Sequence, residues 1–363
     1  MKHLFRRGAA VAAACAVAGV AALAAALAPG SPASAASVNQ WRLANVWAHT
    51  QGQFYAVSSS GPNDAWAVGV TGPANNPTGT MAAHWGGKAW QTVTVPGSKG
   101  LILDEVGESA ANNVWVIGDS TQSGVTSTAF VFDGVHWHTN KLPIYGVHQL
   151  LVFAPNDVWI GDNNECSSYT CTNSIYHWNG KYWQYRPLTE FLYAMTGTSG
   201  GNLWAIGFTG YASGYLTAYH WLGGTWTPTT LPHVQGGFYL GAATTSSTDN
   251  WISSVTTNGK STFVVHGTAT GWKTITAPST VDATPAPVPD GHGGVWLGSQ
   301  AYWTGGKWLP EWLPGYFTEG WTGISAAFIK ARGTTGSYWS AGFTQPGSTA
   351  SMHPAISVWG PLP

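Results

Sequence analysis

Charge is scarce in this chain. Only 8% of its 363 residues are Asp, Glu, Lys or Arg, and no run of Lys or Arg occurs anywhere. That removes the electrostatic footprint a nucleic-acid partner requires. Low charge is not a mark of disorder here, because 13% of the residues are aromatic, with 22 Trp among them. Cysteine is nearly absent, at three residues. No His-Glu-x-x-His pair, phosphate loop or EF-hand pattern is present, so neither a metal nor a cofactor is expected. Helical periodicity is missing beyond the first 35 residues; the remaining apolar runs are short, rich in Val, Ile, Tyr and Trp, and bounded by Gly, Pro, Asn and Ser.

Residues 1–35 have the form of a secretory signal. Lys2, Arg6 and Arg7 precede an apolar run over 9–28, Pro29 and Pro32 break it, and Ala33-Ser34-Ala35 fits the small-x-small cleavage rule. The run is also long enough to cross a bilayer if it is retained. Three of the 14 basic residues and none of the 15 acidic ones lie there, leaving 11 against 15, a formal charge of about −4. The expectation is a secreted, extracellular chain without a membrane span after cleavage, monomeric, with one domain over 36–363. Cys15 falls inside the leader. The remaining pair, Cys166 and Cys171, has no His beside it and suits a disulfide in an exported protein better than a zinc site.

A repeated phrase fills the rest. A first Trp recurs at Trp66, Trp115, Trp159, Trp204, Trp251, Trp296 and Trp339. The spacing of roughly 45 residues is that of a four-stranded propeller blade. Two residues before it stand Asp64, Asn113, Asp157, Asn202, Asp249, Gly294 and Ser337, turn formers that mark a hairpin between the first two strands. Gly69, Gly118, Gly161, Gly207, Gly298 and Gly342 follow it. A second slot holds Trp85, Phe132, Trp178, Trp221, His266, Trp303 and Trp359. Tight turns such as Asp133-Gly134 and Asn179-Gly180 come next, and a third slot holds Trp90, Trp137, Trp183, Trp226, Trp272 and Trp308.

The seventh unit stops after Trp359 and lacks its third Trp, whereas Trp41 precedes the first unit without a partner. The two complete each other. The chain is therefore expected to be all-β, a seven-bladed β-propeller of four-stranded blades whose ring is closed by the N-terminal strand, leaving no free edge. Pro285 and Pro287 make the sixth blade irregular, and extra residues over 329–336 enlarge the seventh.

The strand Trp66-Ala67-Val68-Gly69 and the hairpin Trp85-Gly86-Gly87-Lys88-Ala89-Trp90 resemble those of bacterial secreted propellers of the kelch or galactose-oxidase-like type. The resemblance spans the mature chain and implies fold only. The copper ligands of galactose oxidase are not recognisable, and no catalytic residue carries over.

Nineteen Trp occupy repeat slots and are expected to fill the wedges between blades. Trp47, Trp312 and Trp321 fall outside the pattern, in segments joining one blade to the next, and are the candidates for ligand stacking. Alignment on the first Trp puts Tyr55, Asp104, His148 and Tyr193 at one equivalent place, with Glu105, Asp119, Asp162, Glu165, Glu190 and Glu319 nearby. Gly197-Thr198-Ser199-Gly200-Gly201 matches a nucleophile pattern, but it lies between two strands and reads as a turn. Three functions fit these residues: a non-enzymatic module binding an extracellular glycan or protein at the propeller mouth; a carbohydrate-active hydrolase or lyase using Asp104, Glu105, His148 or Glu190; or a cell-envelope scaffold. The candidate ligand-binding residues are Trp47, Asp104, Glu105, His148, Glu190, Tyr193, Trp312 and Trp321.

Overall fold

In a computed structural model the chain is described over residues 41–360 except 74–75, 123, 163–165, 168–169, 172–173, 189–191, 209–214, 230, 234–235, 257–260, 280, 282–285, 290–292, 298–300, 311–324, 330–336 and 345–350. These residues form seven four-stranded antiparallel sheets and no helix. Blade one comprises Gly52–Gly61, Asp64–Thr71, Gly79–Trp85 and Trp90–Thr92. Blades two to six run over 101–141, 147–185, 194–229, 236–276 and 287–310. Blade seven combines Ser325–Ile329, Ser337–Thr344 and His353–Trp359 with the N-terminal strand Trp41–Val46. The first strand of each blade contacts the first strand of the next, from one to seven and back to one, so these strands surround the axis.

Ring closure follows the expected register. Trp41 pairs with Trp359 and Val46 with Ala355, antiparallel. The Arg42 guanidinium also donates to the Gly360 carbonyl. The second strands start at Asp64, Asn113, Asp157, Asn202, Asp249 and Ser337, where the turn formers had placed the hairpin. Blade six is the irregular one: its first two strands, Pro287–Pro289 and Val295–Leu297, have three residues each. In blade seven the first two strands are separated by residues 330–336, against two-residue turns in blades one to five.

The core is not one body. Buried side chains gather in seven clusters, one at each seam between blades. One rule builds them: the first Trp of a blade lies against the second and third aromatic positions of the next. Trp339 meets Trp85 and Trp90, each at 5.2 Å between ring centroids. Trp66 meets Phe132 and Trp137, each at 5.6 Å. Trp159 meets Trp221 at 5.5 Å and Trp226 at 6.5 Å. A wedge between diverging sheets needs wide, flat side chains packed edge to face, which is what indole supplies.

Blade five corrects one assignment. His266 pairs with Trp251 as His84 pairs with Trp66, so it stands one place before the second slot. Gly267 occupies that slot, and Trp272 lies over it so closely that an added Cβ would come within 2.8 Å of the indole. The bulk missing from one strand is supplied by its neighbour.

Candidate functional site

Two levels of the ring carry polar side chains. The first lies at the end of the inner strands that the blade-joining segments enter. In blades one, two and three the ladder slips by one residue between Phe54 and Ala56, Leu103 and Glu105, and Val147 and Gln149. The extra residues are Tyr55, Asp104 and His148. In blade four Tyr193 takes the same place: its N–H donates to the Ile206 carbonyl at 2.9 Å, while Ala194 is the residue paired with Ile206. The column inferred from alignment is thus a β-bulge on three consecutive inner strands, with Tyr193 at the matching place just ahead of the fourth.

A bulge inverts the alternation of faces beyond it. Phe54 and Val57, three residues apart, therefore pack into the same core cluster, and so do Leu103 and Val106. The bulge residue is left out of that alternation and remains half-buried, as are Tyr55, Asp104, His148, Tyr193 and the adjoining Glu105. In blade one the inner backbone also excludes any side chain at the glycine after the first Trp, whereas at Gly118 and Gly161 the nearest atoms are the side chains of Leu101 and Leu192, at 2.9 and 2.8 Å from an added Cβ. A Cβ on Gly69 would lie 2.0 Å from the Gln53 carbonyl oxygen.

Neighbouring groups hold this level. The Gln53 amide donates to the Tyr55 hydroxyl at 2.8 Å. Gln149 spans the seam between blades three and four, donating to the Tyr193 carbonyl at 3.2 Å and accepting from the Met195 N–H at 2.8 Å. Asp119 and Asp162 are buried and serve the connections between second and third strands: the Ser127 hydroxyl donates to Asp119, and the Ser174 N–H donates to Asp162 at 2.8 Å. Trp47 follows the closing strand, half-buried, edge-on to Phe54 at 5.0 Å, with its indole N–H donating to Thr92 at 3.0 Å. It borders a cleft of about 310 Å³ shared with Thr50, Thr80, Thr94 and Leu103. Glu165, Glu190, Trp312, Trp321 and Glu319 lie outside the described residues. Cys166 and Cys171 are backbone partners in a small hairpin inserted in blade three.

The second level lies at the opposite end, among the hairpin turns. The sequence singled out the Asp before the first Trp and the His before the second, but not their connection. His84 bonds Asp64 at 2.8 Å, His177 bonds Asp157 at 2.9 Å, His266 bonds Asp249 at 2.9 Å and His220 bonds Asn202 at 2.6 Å. Each imidazole also stacks on its blade's first Trp, at 4.4, 4.3, 3.6 and 4.1 Å in the same order. Asp157 does more than cap a turn. It accepts from the Trp159 indole at 3.0 Å and, through its other oxygen, from the Gly200 N–H of the next blade at 3.0 Å. The nucleophile-like Ser199 thus sits beside a turn stapled to its neighbour blade.

At the seam of blades one and two the group across from Asp64 is itself an acid, Glu108. Burial, then hydrogen bonding with Asp64 and its charge, push the Glu108 carboxyl up to about 10, so it is protonated at neutral pH. Burial would also raise Asp64, but hydrogen bonds from His84, Glu108 and Ser60 outweigh it and hold Asp64 below its ordinary value. Among the described residues no three His, Cys, Asp or Glu side chains come together as metal ligands.

Seven radial four-stranded sheets closed by the first strand define a β-propeller. No family model and no curated protein matches the chain. Solved structures do. The structure of YCF48 bound to D1 peptide is 14% identical with a TM-score of 0.53, over 91% of this chain and 97% of that one. The β-propeller domain of the Trilobed protease from Pyrococcus furiosus is 10% identical with a TM-score of 0.52, over 82% and 96%. A protein of unknown function from Dyadobacter fermentans is 8% identical with a TM-score of 0.50, over 88% and 97%. At these identities the likeness is one of fold.

Proposed function

We propose that this chain is a secreted, non-enzymatic binding module that recognises an extracellular glycan or protein at the propeller mouth. One observation carries the reading: three consecutive inner strands each bulge at the same place, where Tyr55, Asp104 and His148 stand, and Tyr193 stands at the matching position ahead of the fourth strand. Bulges re-aim side chains and cluster near functional sites. Two phenols, an imidazole and a carboxylate, beside Glu105, form a set that bonds and stacks with a partner. The column changes its side chain from blade to blade, unlike the Trp slots. Uniform chemistry would suit packing; varied chemistry suits an asymmetric ligand.

The leader over 1–35 supports export, and a propeller of similar fold has been solved with a peptide bound. The test is an array of extracellular glycans and peptides probed with the mature chain, followed by titration of every hit. Tyr193→Ala and Asp104→Asn are expected to weaken a true hit about tenfold or more. Unchanged affinity in both variants, with their folds intact, would remove the mouth from the reading.

A further inference from the structure

The imidazole that covers the first Trp is missing from blade two. Val131 stands opposite Trp115, where His84, His177, His220 and His266 stand in blades one, three, four and five, and where Tyr302 stacks on Trp296 at 4.4 Å in blade six. Blade seven also has a valine there, Val358, but Trp85 and Trp90 close to 5.2 Å on Trp339 and leave it fully buried. At the seam of blades two and three the corresponding rings stay back: Trp178 lies 6.3 Å and Trp183 6.1 Å from Trp115. Trp115 stays buried, but neither ring takes the place of the lost imidazole, and a cleft of about 320 Å³ lies there among the hairpin turns. That is within the range of small-molecule sites.

Its lining is specific. Trp115, Val131 and the half-buried Trp178 supply the apolar side. The Trp178 N–H already donates to the Pro155 carbonyl at 3.2 Å, so its ring rather than its N–H is on offer. Asn140 and Asp133 supply the polar side, with His138. Asp133 is fixed in place: it accepts from the Val135 N–H at 2.9 Å and the His136 N–H at 2.7 Å, and its second oxygen bonds His138 at 2.7 Å. Those bonds, the His136 N–H foremost, hold its carboxyl well below the usual carboxylate range. An anion would meet that charge without a Lys or Arg in the lining to offset it. Amides and a preoriented carboxylate beside an indole are the groups that take hydroxyls on one side and C–H bonds on the other.

We propose that the cleft between blades two and three binds a single neutral sugar ring, seated against Trp178 and hydrogen-bonded by Asp133 and Asn140. It is a second site, on the face opposite the mouth.

The test is saturation-transfer NMR of the mature chain with a panel of neutral methyl pyranosides, followed by titration. At least one member is expected to bind with a Kd on the order of 1 mM. Val131→His should fill the cleft with the ring found in four other blades and weaken binding about tenfold or more, with the melting temperature not lowered. Asp133→Ala, on an exposed turn, keeps the proposal falsifiable should Val131→His fold poorly, and is expected to lose binding as well. No transfer to any pyranoside, binding of tetramethylammonium alone, or unchanged affinity in Asp133→Ala would each overturn the site. Binding at the mouth is tested by its own variants, so either reading can fail without the other.

Discussion

Trp41 and Trp359 are backbone partners although 318 positions separate them. Trp41 is buried, edge-on to Trp296 of blade six at 5.8 Å, in the cluster that also holds Tyr338 and Trp359. The two ends of the described chain therefore share one sheet and one core wedge.

Trp41→Ala should then destabilise the whole ring rather than a local strand. A loss of about 3–5 kcal/mol is expected, the usual cost of emptying a buried Trp site. Urea unfolding followed by circular dichroism measures it. A loss under about 1 kcal/mol would mean that the closing strand contributes little.

Asp157 accepts from an indole, an imidazole and the N–H of the following blade. Asp157→Ala orphans all of these donors in part-buried surroundings, for an expected cost of about 3 kcal/mol. Asp157→Asn keeps one acceptor oxygen and should cost less. Equal losses for the two variants, by thermal denaturation, would contradict a role as acceptor.

The buried Glu108 sets a pH dependence whose sign is definite. Its folded-state pKa lies above the unfolded value, so the folded state keeps a proton that the unfolded chain releases. Its contribution is complete below about pH 4.5 and declines as pH rises toward 10, by up to about 1.4 kcal/mol per pH unit. Glu108→Gln stays neutral throughout and should flatten the neutral-to-alkaline limb of the stability profile. Parallel profiles for the two proteins would place the titration elsewhere.

Cys166 and Cys171 are register partners one step beyond Ser167 and Thr170, which are separated by two residues in sequence. In such a hairpin the flanking pair is hydrogen-bonded and the next is not, and Cα atoms of a non-hydrogen-bonded pair are about 4.5 Å apart. That is within disulfide reach. Exchange with a disulfide donor of an oxidising compartment would form the Cys166–Cys171 bond and release two donor thiols. Intact mass of the protein after that exchange should fall by about 2 Da relative to the reduced form. Two free thiols in that protein, by alkylation, would refute the pairing.

How much of this was legible follows from what each feature depends on. Ring size and closure depend on periodicity, and the Trp slots stated it from Trp41 to Trp359. The bulge column was visible as an alignment of Tyr55, Asp104, His148 and Tyr193, but its cause was not, because a bulge is a mismatch between two strands and each strand alone looks regular. The bond between Asp64 and His84 is not legible in either residue's own surroundings, since it joins the start of one strand to the end of the next, 20 residues on. His266 was set in the wrong slot because Trp272, which covers Gly267, belongs to the next strand. The empty place over Trp115 had one available signal: His precedes the second slot in three blades, and Val131 breaks the series.

The bulge positions also separate what the chain must keep from what it is at liberty to vary. Deleting Tyr55, Asp104 or His148 would reverse the inward and outward faces of an entire strand end, whereas none of the three belongs to a core cluster of its seam; Tyr193, by contrast, packs against the wedge between blades four and five. Randomising the codons for those three residues together should therefore yield folded variants with new partner preferences, much as hypervariable loops do on antibody frameworks.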